Sequence, residues 1–268
     1  PFTDKLGRDD VRITSRYNEN FLNSSVFGTI HEAGHALYEL GFPKSIKDTI
    51  LGEGTSMGIH ESQSRLWENF IGRSLPFWRY FYPLLQQQFP VALGEVALDD
   101  YYRAINRVEP SLIRVEADEV TYSLHIIMRF NLEKRLISGE LDVEDLPDAW
   151  SEESRALLGP TPKNHAEGVL QDIHWSVGAF GYFPTYALGN LYAAQFYNSL
   201  RRSITDLDAH LESGDLSTVL SWLRSNVHAP GSTSTAGELC REVTGAELSA
   251  DHFVRYLREK YSDIYGLR

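Results

Sequence analysis

Two histidines stand four positions apart in the stretch GTIHEAGHALYEL, residues 28–40, with a glutamate directly after the first. On a helix, positions i and i+4 lie one turn apart on the same face, so His31 and His35 can direct their rings to one ion. Glu32 lies about 100° further round the helix, beside that ion without having to ligate it. Two imidazoles and a carboxylate that can take a proton from metal-bound water are the groups that a zinc peptidase needs.

A third ligand is predicted in the segment GIHESQSRLWENF, which follows a glycine-containing loop. Glu61 lies early in an amphipathic helix there, which can return to the first helix and complete a site of two histidines and one glutamate. A lone glutamate is more often a solvated residue on a helix face. His60 is a competing ligand, which we expect instead to face a substrate groove or to hydrogen-bond a neighbour. The remaining interpretation is that the histidines are core residues of a helical scaffold.

Composition indicates a soluble globular protein of ordinary hydrophobicity. The 268 residues are 42% hydrophobic and 23% charged, enough for one large core or two modest ones. No apolar run approaches the roughly 20 residues of a membrane span, so no membrane association is expected. The formal net charge of −12 would repel nucleic acid, and no basic patch opposes it. The single cysteine, Cys240, rules out an internal disulfide, indicates a reducing compartment such as the cytoplasm and is expected to be structural.

The elements that must position these ligands are predicted to be mainly helical. Alternating polar and apolar residues predict a short strand within residues 9–17, and SLIRVEA, residues 111–117, predicts a second. Apolar spacing predicts a helix from Glu19 to Leu40 that GFP ends. We expect one mainly helical domain with a small sheet over residues 1–268. Further helices are predicted in IHESQSRLWENFIG, PFWRYFYPLLQQQF, DEVTYSLHIIMRFNLEKRLISG and ALGNLYAAQFYNSLRRSI, a loop in KDTILGEGTSMG, an acidic linker in ELDVEDLPDAWSEES, and three short helices from residue 206 onward.

Six motifs in one order resemble those of the M32 metallocarboxypeptidases. They are PFT, DVRIT, HEAGH, HESQ, IRVEAD and GVLQDIHW, between residues 1 and 175. The resemblance implies a mainly α, two-lobed fold with a deep groove, similar to neurolysin and angiotensin-converting enzymes, and a small antiparallel sheet at that groove. It also implies that His31, His35 and Glu61 bind Zn²⁺, with Glu32 as general base and acid. Co²⁺ suits the same ligand set.

Arg114, in IRVEAD, is implied by the resemblance to hold the free C-terminal carboxylate of a peptide. A guanidinium fork matches the two oxygens of a carboxylate and stays charged at any working pH. A structural ion pair with Glu116 or Asp118 is the alternative.

The GVLQDIHW and GYFPTY segments carry further candidates. In the family the first lines the catalytic groove, so Asp172 and His174 are candidates for orienting substrate or supporting the metal ligands. A buried pair of these two residues that holds helices together is the alternative. Tyr182 and Tyr186 resemble tyrosines that related zinc peptidases use to stabilise the oxyanion, because a phenolic hydroxyl can donate to that charge. Such aromatic residues are otherwise part of a core.

The chain departs from the family pattern in two places. The family's first motif reads His-Pro-Phe, whereas this chain begins at Pro1 with no secretion signal, and about half of the usual length is absent. We therefore expect either a fragment or a short form that lacks the N-terminal half. Some zinc peptidases also place an aspartate four residues after the third ligand. Here that position is Arg65, so support for the metal ligands is expected from elsewhere.

The leading hypothesis is a zinc-dependent carboxypeptidase that acts on peptides with a free C-terminus and forms a homodimer, as the family usually does. One alternative is a zinc oligopeptidase that cuts within short peptides and does not require Arg114. Another is a non-catalytic metal-binding lobe that acts only when joined to an N-terminal half. In each case Asp10, Arg12 and Thr14 of DVRIT are expected to brace the edge strand of the groove.

Overall fold

A two-stranded antiparallel hairpin begins the chain, and a computed structural model describes residues 1–267. Strand β1, Phe2–Gly7, pairs with β2, Asp10–Thr14. β2 is the strand predicted within residues 9–17. Strand β1 was not predicted, because its inward-facing positions are the polar residues Thr3 and Lys5 rather than apolar ones. Both side chains contact glutamates of the helix that follows, so these positions are polar because of those contacts and not because the segment is a loop.

The predicted helix after the hairpin is confirmed as α1, Leu22–Glu39. It begins later than Glu19 because a backbone hydrogen bond of 3.0 Å from Phe21 N to Asn18 O closes a turn just before it. The helix with HESQ is α2, Met57–Arg65, and it continues as a π-helical turn over Leu66–Ile71. The expected loop connects α1 with α2.

The remaining helices follow in chain order and include the long predicted segments. Pro76 lies in the first turn of α3 as expected, and Gly139, at φ 75°, ends α6. The bounds are α3 Leu75–Gln88, α4 Pro90–Leu93, α5 Leu98–Ile105, α6 Tyr122–Ser138, α7 Leu146–Leu157, α8 Pro184–Ser203, α9 Leu207–Glu212, α10 Ser217–Leu223, α11 Ala236–Thr244 and α12 Asp251–Tyr265.

Three predictions of secondary structure are wrong. SLIRVEA forms a single 3₁₀ turn, Arg114–Glu116, because no strand among the described residues pairs with it and Arg114 N donates to Gln171 Oε1 instead. The acidic linker contains most of α7, since the acidic residues lie on the exposed face of a helix that buries Trp150. The tail contains four α-helices, α9–α12, rather than three, because a capping box at Thr235 starts a separate helix.

The chain divides into two compact units, each with its own hydrophobic core. Unit 1 comprises residues 1–105 and 188–268, and unit 2 comprises residues 106–187. The core of unit 1 packs around α1, α2, α3 and the second part of α8, whereas unit 2 packs α6 against α7. The single-domain interpretation stays a prediction. Within residues 1–267 no helix is both long and apolar enough to cross a membrane.

Candidate metal centre

Helix α1 of unit 1 brings the two histidines of HEAGH together on one face. The ring centroids of His31 and His35 lie 4.9 Å apart. Their Nε2 atoms face the same carboxylate oxygen, Glu61 Oε2 of α2, at 3.7 Å and 3.4 Å respectively. Nitrogen and oxygen atoms of these three residues all lie within 4.8 Å of one another.

Two glycines allow the helices of this site to approach closely. A Cβ atom at Gly34 of α1 would lie 2.7 Å from Ser64 Cα of α2, and one at Gly189 of α8 would lie 2.4 Å from Glu61 Cγ. Larger residues at either position would push α2 away. Ser56 starts α2 by accepting a hydrogen bond from Ile59 N, which places Glu61 in the second turn.

The donor set fits a divalent metal such as zinc. Ligand bonds of about 2.0–2.2 Å in a tetrahedral arrangement place donor atoms about 3.3–3.5 Å apart, close to the two nitrogen–oxygen distances here. The outer nitrogens are already occupied, since His31 Nδ1 lies 2.9 Å from Glu68 Oε2 and His35 Nδ1 lies 2.6 Å from His60 Nδ1. In the tautomer that carries the proton on Nδ1, each ring donates on its outer side and its Nε2 lone pair faces inward, as a metal requires.

Glu68 gives the ligand residues the support that was expected from elsewhere, and Arg65, from which none was expected, also contacts them. Arg65 Nε donates to Glu61 Oε1 at 2.8 Å, and its Nη1 donates to Glu68 Oε2 at 3.2 Å. Burial alone would raise the pKa of Glu61, but Arg65 and His31 outweigh it and keep that pKa low. The same balance lowers the pKa of Glu68 to about 2. Both carboxylates are therefore ionised and able to hold a cation or a histidine proton.

His60 lies behind His35 rather than in the ligand set. Its Nδ1 contacts His35, its Nε2 lies 2.9 Å from Glu39 Oε1, and Glu39 Oε2 lies 2.9 Å from Lys5 Nζ. Of the two roles expected for His60, hydrogen bonding to a neighbour is the one observed. This row of residues fixes the ring of His35 and ties it to strand β1.

The protonation of the metal-free histidines differs. Burial lowers the pKa of His31, but Glu61 and Glu68 reverse this and the pKa is raised. For His35, burial dominates and the pKa is lowered, although Glu61 opposes it. Protons therefore compete with a metal mainly at His31.

Glu32 is held by the hairpin. Its side chain is buried, and the hydroxyl of Thr3 lies 2.7 Å from Glu32 Oε2 and 2.9 Å from the Glu32 carbonyl. Of the DVRIT residues, Thr14 supports β1 by accepting a hydrogen bond of 2.9 Å from Phe2 N, whereas Arg12 and Asp10 pair with each other on the exposed side of β2. Sequence reasoning missed Thr3 as a partner of Glu32.

Arg114, in unit 2, pairs with Asp172, so the alternative partners Glu116 and Asp118 are wrong. Its Nε and Nη2 donate to Asp172 Oδ1 at 3.0 Å and 2.6 Å, and its Nη1 donates to Tyr122 OH at 3.0 Å. Burial would lower the pKa of Arg114, but Tyr122 and Asp172 raise it, so the group stays charged. Asp172 Oδ2 accepts from Arg129 Nε at 2.7 Å. We call Arg114, Arg129 and Asp172 the arginine cluster.

His174 contacts the tyrosines of GYFPTY. Its Nε2 lies 2.9 Å from Tyr186 OH, and the Tyr182 ring lies 5.4 Å from the His174 ring. The suggested pair of His174 with Asp172 is loose, at 3.9 Å, because Asp172 bonds the two arginines instead. Burial, then the charge of Arg114, lowers the pKa of His174.

Besides Thr3, four more residues around these sites were not predicted from the sequence. Glu68 could have been predicted from the sequence, because it lies seven positions after Glu61, about two helical turns further along. Glu39 lies eight positions after His31 on α1, a spacing of about two turns as well. Arg129 and His125, one turn apart on α6, are both fully buried, but α6 carries several other polar residues, so its sequence does not single them out.

Two histidines and a glutamate that converge from α1 and α2 of a helical fold are the arrangement typical of metallopeptidases of the HEXXH type. The sequence profile of the family described as Carboxypeptidase Taq (M32) metallopeptidase matches residues 1–261. The chain therefore belongs to the M32 metallocarboxypeptidase family, which confirms the resemblance of the six motifs and the helical fold with its small antiparallel sheet.

Known relatives match almost the whole chain. It is 52% identical over 266 residues to Thermostable carboxypeptidase 1 of Thermus thermophilus, covering 99% of this chain and 52% of that protein. It is 47% identical to Carboxypeptidase 1 of Bacillus subtilis, covering 100% and 53%. The crystal structure of the M32 carboxypeptidase from Deinococcus radiodurans R1 superposes with a TM-score of 0.97 at 44% identity, covering 99% and 54%. The chain thus spans about half the length of the curated relatives it matches.

Proposed function

We propose that this chain is the metal-binding part of a zinc-dependent carboxypeptidase that removes C-terminal residues from peptides. The observation that carries the proposal is the convergence of His31 Nε2 and His35 Nε2 on Glu61 Oε2, at 3.7 Å and 3.4 Å. Membership of a metallocarboxypeptidase family supports the same reaction.

The ligand set favours zinc, and cobalt suits the same donors. His31, His35 and Glu61 would hold the ion. When bound, the ion would polarise the scissile carbonyl and lower the pKa of a water molecule to near neutral.

Glu32 is proposed as the group that moves the proton. It takes a proton from the attacking water and passes it to the leaving amine, which a carboxylate beside the reacting atoms can do in both directions. The hydroxyl of Thr3, at 2.7 Å, limits the rotation of the carboxylate and keeps Oε2 in place.

Arg114 is proposed to bind the terminal carboxylate of the peptide. A guanidinium has five N–H donors, and three of those on Arg114 are used by Asp172 and Tyr122. Two donors remain, enough for a carboxylate.

His174, Tyr182 and Tyr186 are proposed to stabilise the oxyanion or to orient the peptide. Tyr186 is supported by its contact with His174 Nε2, which holds the phenol in one direction. Tyr182 is supported by its ring packing on His174.

A homodimer in the cytoplasm is part of the proposal. The family resemblance supports the dimer, and the single cysteine supports a reducing compartment. The net charge of −12 supports peptides rather than nucleic acid as partners.

The test uses one N-blocked short peptide in two forms, with a free and with an amidated C-terminus. The zinc-loaded chain is expected to release only the last residue, and only from the free form. Cleavage within both forms at equal rates would favour the oligopeptidase instead. A zinc-loaded chain that cleaves neither form would favour a metal-binding lobe, a second candidate supported by the match to half of each relative.

A further inference from the structure

Asp172 shares its two oxygens between two guanidiniums. Oδ1 accepts both bonds from Arg114, and Oδ2 accepts the bond of 2.7 Å from Arg129 Nε. Of these two arginines, only Arg114 has a role in the proposed function. The arginine cluster therefore contains two positive charges and one negative charge.

Among residues 1–267, Asp172 is the carboxylate that forms ion pairs with the two guanidiniums. Glu133, one turn beyond Arg129 on α6, accepts instead from Trp175 Nε1 at 3.2 Å and from Gly181 N at 2.7 Å. His125 adds no charge near neutral pH, because burial and then the charge of Arg129 lower its pKa to about 4. Asp172 is therefore the carboxylate that the two guanidiniums share directly.

Arg129 cannot itself meet a ligand from solvent. Its side chain is 0% exposed. Its guanidinium lies 4.6 Å from the Trp150 ring centre and 5.5 Å from that of Phe183, and its Nη1 donates to the His125 carbonyl at 3.0 Å. Arg129 can therefore act on a ligand only indirectly, by holding Asp172 and through the field of its charge.

We propose that Arg129 is a positioning residue for peptide binding. By holding Oδ2 of Asp172, it fixes the rotation of that carboxylate, so that Oδ1 alone orients the Arg114 fork. It also places a second positive charge beside Asp172, whereas Arg114 and Asp172 alone would form a neutral pair with little attraction for a carboxylate. This inference rests on the proposed role of Arg114 and adds the residue that makes that role effective.

A purely structural Arg129 would behave differently. In that case the Arg129–Asp172 pair would only connect α6 with the GVLQDIHW segment. Replacing a buried ion-pair member with an apolar residue of similar size would then affect folding stability but not the preference for a free C-terminus. Ligand preference therefore separates the two roles.

The experiment measures calorimetric binding of an N-acetylated tripeptide, with a free or an amidated C-terminus, to the zinc-loaded chain. Glu32→Gln is the background, so that the peptide is not cleaved. Arg129→Met should weaken binding of the free form about tenfold or more and leave the amidated form unchanged. Arg129→Lys, which keeps the charge, should recover most of this loss. Arg135→Met, on α6 outside the cluster, is the matched control and should change neither.

The double variant Arg129→Met, Asp172→Asn separates charge from packing. It leaves Arg114 as the single charged residue of the arginine cluster, so the double variant should bind the free peptide more tightly than Arg129→Met alone. Equal binding of the free peptide by Arg129→Met and its background would overturn the proposal, as would a double variant no tighter than the single one.

Failure of the proposed function is recognised separately, from cleavage by the chain with Glu32 intact. If that chain acts as a carboxypeptidase while Arg129→Met binds normally, only the inference about Arg129 fails. If it cleaves nothing while Arg129→Met loses the preference for a free C-terminus, the inference stands alone. Equal binding of the free and the amidated peptide by the Glu32→Gln background would overturn the inference, whether or not the chain with Glu32 intact cleaves peptides.

Discussion

The metal centre and the arginine cluster both bury charged groups, but they present opposite groups to a ligand. At His31 and His35 the outer nitrogens are engaged by Glu68 and His60, so the inner lone pairs accept a cation. In the arginine cluster one carboxylate serves two guanidiniums, so N–H donors are left for an anion. The sign of the charge that a site attracts therefore depends on the hydrogen-bond partners of its ligand residues as well as on the ligand residues themselves.

Substitutions at Glu32 and Glu61 should cause the largest losses of activity. They should differ in zinc content, because Glu32 is assigned to proton transfer and Glu61 to metal binding. Glu32→Gln should lower kcat by on the order of 10³-fold while zinc stays bound, because only the general base is lost. Glu61→Gln should reduce zinc content as well as cleavage. Zinc per chain, measured by mass spectrometry beside the peptide assay, checks this. Retention of full activity by Glu32→Gln would contradict the assignment.

Arg114→Met should act on the peptide and not on the metal. Loss of a charged hydrogen-bonding partner should cost about 2–3 kcal/mol, roughly 30- to 150-fold in kcat/KM for peptides with a free C-terminus. Zinc content should not change. Kinetics on the free and amidated peptides check this, and an equal loss on both forms would remove Arg114 from carboxylate binding.

Glu68→Gln should weaken the metal centre without removing a ligand. Loss of a carboxylate behind a metal-binding histidine typically lowers metal affinity by roughly 10- to 100-fold. Competition with a zinc chelator measures the change. Glu212→Gln, at the exposed end of α9, is the matched control. An affinity identical to that of the control would mean that Glu68 does not orient His31.

Acidification should destabilise the fold through buried neutral histidines, and this effect is the smallest. Burial, then the charge of Arg224, lowers the pKa of His228 to about 3. Its ordinary value is near 6.5, so the unfolded chain binds the proton first and stability falls as pH drops from about 6.5 towards 3. The slope from this group is at most about 1.4 kcal/mol per pH unit.

Urea unfolding at several pH values checks that slope. His228→Gln should flatten the fall in unfolding free energy between about pH 6.5 and 4.5, whereas His165→Asn, at an exposed position, should leave it unchanged. Parallel curves for His228→Gln and the unsubstituted chain would show that His228 carries no such shift.

The metal centre was more predictable from sequence than the arginine cluster, and the reason is local. His31, Glu32 and His35 lie within one helical turn, and their spacing alone brings them together. Glu61 needed only a short return of the chain. The contact between Arg114 and Asp172 spans 58 residues and follows from how unit 2 folds, so local patterns suggested Glu116 and Asp118 instead.

The same dependence on contacts between residues far apart in the sequence explains why strand β1 and helix α7 were not predicted. Strand β1 buries Thr3 and Lys5 against Glu32 and Glu39, so its pattern is the reverse of an ordinary amphipathic strand. Helix α7 was hidden because its acidic exposed face dominates its composition. In both cases a tertiary contact, and not local propensity, determines the structure.

The most direct test of the metal centre is anomalous diffraction at the zinc edge from crystals of the zinc-loaded chain. We expect one strong peak about 2.0–2.2 Å from His31 Nε2, His35 Nε2 and Glu61 Oε2. A peak bound through His60, or none between α1 and α2, would contradict the assignment of the ligands.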